Sequence, residues 1–86
     1  MHITQAPSGI NLVVETDASI YIGRLGRQDA SKIQLHHAVV FPASANNSEE
    51  LVRQTARYGV PVMHKELELE VQGIRRVRKL GDVPKT

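Results

Sequence analysis

Between Glu66 and Val71 the chain alternates without a fault, Glu-Leu-Glu-Leu-Glu-Val. Period-two alternation places Leu67, Leu69 and Val71 on one face of a strand and Glu66, Glu68 and Glu70 on the other. Gly73 interrupts, and Ile74-Arg75-Arg76-Val77-Arg78-Lys79-Leu80 resumes with its apolar residues spaced by three. A strand with a bulge near Arg75 and Arg76 accommodates that spacing, and so does a helical turn. The β-branched residues and the strand upstream favour the strand.

Three further strands are expected nearer the N-terminus. Pro7, Ser8 and Gly9 punctuate the start, so residues 1–9 read as a flexible lead into the short β-branched run Ile10–Thr16. After a turn at Asp17-Ala18-Ser19, Ile20, Ile22 and Leu25 flank Gly23, which predicts a strand that bends or bulges where the side chain is missing. Past Asp29-Ala30-Ser31, Ile33 and Leu35 alternate with Gln34 and His36 before an apolar stretch that ends at Pro42.

The period then changes. Asn47 and Glu50 have capping-box spacing, with Ser48 as a competing cap. Leu51, Val52, Thr55 and Ala56 fall on one helical face, and Glu49 is placed to reach Arg53 at i,i+4. Arg57 sits in the last turn and Gly59 supplies a left-handed C′ residue before Pro61. The spacing predicts one helix over 47–59, about three turns long. The element order is β-β-β-α-β-β in one domain, residues 1–86, with 84–86 as a tail. Such short, strongly bent strands suggest a mainly β fold: a small five-stranded, SH3-like barrel with one helix inserted between strands 3 and 4.

Composition narrows the chemistry. With no cysteine among 86 residues, disulfides and thiolate sites are excluded. Phe41, Tyr21 and Tyr58 are the only large aromatics. A chain this short buries only roughly 60–65% of its unfolded surface, so association with copies of itself is expected to add stability. The formal charge of +2 is mild, but from Val71 onward five cations face one acid, Asp82, directly after the three glutamates of the alternating strand. The opening MHITQAPSG lacks the basic and apolar regions of a signal peptide, and no apolar run approaches the roughly 20 residues that span a bilayer. A soluble, cytoplasmic protein with no membrane partner is the expectation.

Two segments resemble a known family. GRLGRQDASKIQLHHAV is similar to the first motif of the Sm/Lsm-like superfamily, with Gly23, Leu25, Asp29, Ile33, Leu35 and Ala38 matching and one residue fewer between the Asp and the third strand. LEVQGIRRVRKL looks like the second motif, with Gly73 and Val77 in its conserved roles and one residue more than usual. Lys32 stands nearest the family's loop asparagine, and Gln72 precedes Gly73 where nucleotide-binding members often carry a basic residue. The initial helix common in the family has no counterpart in MHITQAPSG. The resemblance spans roughly residues 10–83. It implies a small barrel that closes into a cyclic homo-oligomer by pairing its fourth strand with a neighbour's fifth. RNA binding follows from it less directly, because the base-reading positions differ.

Other chemistry is thin. His36 and His37 are adjacent and point to opposite faces of a strand, His2 and His64 are distant, and no metal or cofactor is expected. Ser8, Ser19, Ser31, Ser44 and Ser48 sit in turn or cap contexts, and GRLG lacks the length and the Lys-Ser/Thr end of a P-loop, so no enzyme is expected. Two readings of the cations remain. In one, Lys32, Arg75 and Arg76 contact RNA or another single-stranded nucleic acid. In the other, the basic residues face water or meet Glu66, Glu68 and Glu70 across a strand pair, with Arg78 at a subunit interface, and the chain is a structural or adaptor barrel of the kind a phage or mobile element encodes.

Overall fold

The computed structural model describes residues 9–44, 46–61 and 63–83. The expected flexible start, the question of an initial helix and the expected tail fall outside these residues, apart from Gly9. Leu12, Val13 and Val14 are consecutive and fully buried, which an alternating surface strand never shows. They belong to β1 (Asn11–Thr16), a strand covered on both faces. It is followed by β2 (Ser19–Gln28), β3 (Lys32–Pro42), α1 (Ser48–Tyr58), β4 (His64–Glu70) and β5 (Ile74–Lys79). Single 3₁₀ turns occupy Val71–Gly73 and Leu80–Asp82.

All five strands form one antiparallel sheet in the order β4-β3-β2-β1-β5. The two edge strands are consecutive in sequence, and this forces the shape. In a flat sheet β4 and β5 would lie about 19 Å apart, four strand spacings. The stretch from Glu70 to Ile74 reaches at most about 14 Å even when fully extended, and here it is coiled into a 3₁₀ turn. The sheet must therefore curl until the end of one edge strand approaches the start of the other. It stays an open sheet, with β4 paired to β3 and β5 paired to β1.

The curl encloses a core drawn from every strand: Leu12, Val14, Leu25, Ile33, Leu35, Ala38, Leu69 and Val77, with Leu67, Val71 and Ile74 at its margin. A second core lies on the opposite face of the β1–β3 half. There Val13, Ile20, Ile22 and Val39 are covered by Val52 of α1 and by Leu80 and Val83 of the C-terminal segment.

Bulges set the bend. Glu15 faces Arg76 and Thr16 faces Ile74, leaving Arg75 as the extra residue of a β-bulge, as the spacing of Ile74 and Val77 predicts. Leu80 falls in the 3₁₀ turn that follows rather than in β5. At Gly23 the register shifts as expected, but the extra residue is not on β2. Ile22 faces Val39 and Arg24 faces His36, so the extra residue lies on β3, where His37 adopts φ 52°. Gly23 is required because β3 comes so close: a Cβ there would stand 2.8 Å from the Cβ of Ala38. The bulge on β2 itself comes later, between Leu25 and Gln28.

The helix matches its predicted extent and buries the predicted face. Its caps differ. Asn47 makes no side-chain capping bond, and only its carbonyl accepts, from the Leu51 N–H at 2.9 Å. Glu50 pairs with Arg53 at 2.9 Å instead of reaching back, so the capping box does not form. That pairing also displaces the expected Glu49–Arg53 contact. The buried Thr55 hydroxyl donates to the Leu51 carbonyl at 2.8 Å, satisfying itself within the helix. Gly59, at φ 96°, ends the helix and donates its N–H to the Thr55 carbonyl. Among the described residues no helix is long and apolar enough to cross a membrane.

Candidate functional site

The β2–β3 connection is organised by one carboxylate. Asp29 accepts the N–H groups of Ser31 and Lys32, both at 2.8 Å, and the Ser31 hydroxyl at 3.1 Å. Its own N–H donates to the Lys32 carbonyl at 2.9 Å. The bonds from the Ser31 and Lys32 amides, then the hydroxyl, hold its carboxyl below the usual range. Ser31 then reaches across the sheet: its carbonyl accepts the Val71 N–H at 2.9 Å. This bond joins the Asp29–Lys32 connection to the Val71–Gly73 link, so the two segments that carry the motif resemblance meet in space. Beside them Arg27, Gln28, Lys32, Gln34 and Glu68 line a shallow cleft. Lys32 holds its ammonium 3.9 Å from Glu68, with both side chains largely exposed.

Arg75 and Arg76 face different partners. Arg75, on the bulge, donates to Asp17 in the β1–β2 turn at 2.8 Å. That bond lowers the Asp17 pKa and raises that of Arg75. Arg76 and Arg78 flank the inward-facing Val77 and project on the side that carries α1. Arg76 donates to Glu15 and lies 3.5 Å from Glu49. Arg78 binds Glu49 at 2.8 Å and approaches Glu15 at 3.5 Å, while its buried Nε lacks a hydrogen bond. Two arginines and two glutamates thus tie β1, β5 and the first turn of α1 together. Lys32 opens β3, with Glu68 as its acid, whereas Arg75 and Arg76 engage Asp17, Glu15 and Glu49.

Glu66, Glu68 and Glu70 stay exposed on β4. They do not meet the basic strand inside the chain, because β4 and β5 occupy opposite edges of the sheet. Each edge strand presents an outward row of backbone donors and acceptors without a strand partner among the described residues. One edge is acidic and the other basic.

The histidines sit at an irregular part of β3. His36 lies over β2, where a Cβ on Gly26 would fall on its imidazole, and its Nδ1 is 3.8 Å from Glu66. His37 occupies the bulge. His64, Met63 and Glu66 share one open cleft with both. The register of β3 against β4 creates that proximity, and sequence spacing cannot reveal it. Among the described residues no three of His, Cys, Asp and Glu are arranged to hold a metal ion. Arg27 was also missed as a cleft residue, since nothing in its local pattern marks it. Comparison with protein-family models, curated proteins and solved structures finds no match for this chain.

Proposed function

We propose that the protein is a ring-forming subunit of Sm-like character whose curled sheet acts as a small barrel and binds single-stranded nucleic acid, RNA foremost. The observation that carries the reading is the pair of free sheet edges of opposite charge. A head-to-tail contact that adds the β4 edge of one copy to the β5 edge of the next satisfies both rows of backbone groups. It also brings Glu66, Glu68 and Glu70 toward Arg75, Arg78 and Lys79. Such heterologous contacts make closed rings when the rotation between copies closes. Nucleic acid binding draws on Lys32 and Arg27 beside the joined connections, repeated around the ring, with Arg75 and Arg76 at the adjoining link.

A specific observation favours a second reading. Arg75, Arg76 and Arg78 are all engaged by acids of their own chain, which suits a scaffold whose charges serve folding and assembly alone. Labelled U-rich and A-rich RNA titrated across a salt series separates the two. Nucleic acid binding predicts affinity at low salt that falls steeply as salt rises. No binding at low salt leaves the scaffold.

A further inference from the structure

Tyr58 ends α1 and is 75% exposed, although Tyr21 is packed against the first core. It continues the row of Leu51 two helical turns on, at the flank of the buried stripe. Arg57 places its guanidinium carbon 5.2 Å from the centre of the Tyr58 ring. Among the described residues Arg57 is in no ion pair, unlike Arg53 and the arginines of β5. Beside the ring runs a groove lined by Phe41, Leu51, Gln54, Val60 and Pro61.

We infer that Tyr58 and Arg57 form a stacking platform for one nucleotide of a single-stranded nucleic acid. The ring supplies a π face, and the groove beside it is an apolar shelf for the base. The guanidinium lies over one face of the ring, which leaves the other face for the base and places the cation to meet the neighbouring phosphate. Gln54 adds an amide that both donates and accepts at the base edge. The occupant is a nucleotide rather than a peptide side chain because the patch combines one flat aromatic with one uncompensated cation. A planar group carrying an adjacent anion matches both at once. This site is on the inserted helix, apart from the Asp29–Lys32 cleft, and it rests on the reading that the protein binds nucleic acid.

The chain contains two tyrosines and no tryptophan, which makes the test direct. In Tyr21→Phe, Tyr58 is the only tyrosine left to fluoresce. Titration of that variant with oligo-U and oligo-A, corrected for absorption by the RNA, should quench its emission in parallel with the anisotropy of labelled RNA. Tyr58→Leu should weaken RNA binding by about 5- to 150-fold. Tyr58→Phe should restore it, and Arg57→Gln should lower the salt slope by about one phosphate contact. Binding without quenching, unaltered by Tyr58→Leu, overturns the platform and leaves the proposed function standing. Absence of RNA binding at low salt removes both. Quenching by an added protein but not by RNA also overturns the inference.

Discussion

Replacing Gly23 with alanine tests the bend that gives this molecule its shape. The new Cβ would stand 2.8 Å from the Ala38 Cβ, and 3.1 Å from both the Ala38 Cα and the His36 carbonyl oxygen. Ordinary carbon contacts are about 3.5–4.0 Å, so β2 and β3 must separate by several tenths of an ångström or more. Two of the three obstructing atoms are backbone, and no rotamer change relieves them. Overpacking of this kind costs about 1–3 kcal/mol, which lowers the melting temperature of a small domain by roughly 4–24 °C. Ala38→Gly in the same chain removes the nearest atom but leaves the 3.1 Å contacts, so it should return part of the loss. Gly73→Ala is the control. Nothing lies within 4 Å of a Cβ there, so stability should change by no more than about 0.5 kcal/mol. Thermal melts followed by circular dichroism measure all four chains. A Gly23→Ala protein as stable as wild type, or a double variant that recovers nothing, refutes the close approach of β2 to the bulge at His37 and Ala38.

Val52→Ala removes a fully buried contact between α1 and the sheet and should cost about 2 kcal/mol in urea unfolding; a smaller effect than 0.5 kcal/mol would detach α1 from the second core. The Asp29 carboxyl, held low by the amides of Ser31 and Lys32, should titrate below the usual aspartate range in an NMR pH series. Because its folded pKa lies below the unfolded one, its contribution to stability is present above the unfolded value and fades as pH falls through the folded pKa. Asp29→Asn should flatten that acid limb, and an unchanged limb would count against the hydrogen-bonded turn. Glu49→Gln removes the closest acid of Arg78, while Glu15 still holds Arg76, so RNA affinity at low salt should rise and its salt dependence steepen; unchanged affinity would separate Arg78 from the nucleic acid path.

Local period carried much of the fold. The alternation from Glu66 to Val71, the helical face of Leu51, Val52, Thr55 and Ala56, and the bulge at Arg75 each follow from spacing within one element. What depended on a partner element was hidden. The extra residue near Gly23 belongs to β3 because the pairing of Ile22 with Val39 is a matter of register. Glu49 looked like a helix-surface partner for Arg53, but it turns to Arg78, 29 residues away. Likewise the glutamate and arginine strands are neighbours in sequence and lie at opposite edges in space. For the candidate site, the sequence marks Asp29, Lys32 and Gly73. The bond from Val71 to Ser31 that joins their segments extends the β3–β4 pairing one step past Lys32 and Glu70, which is again a matter of register.

Light scattering on the protein after size-exclusion chromatography tests the central claim, that the two free edges join copies head to tail. At micromolar concentration the wild type should elute as one species whose mass is a whole multiple of three or more protomers. Glu68→Lys, which places a cation on the acidic edge, should shift the population toward smaller species. A wild-type monomer would contradict the account, as would a Glu68→Lys protein of undiminished mass.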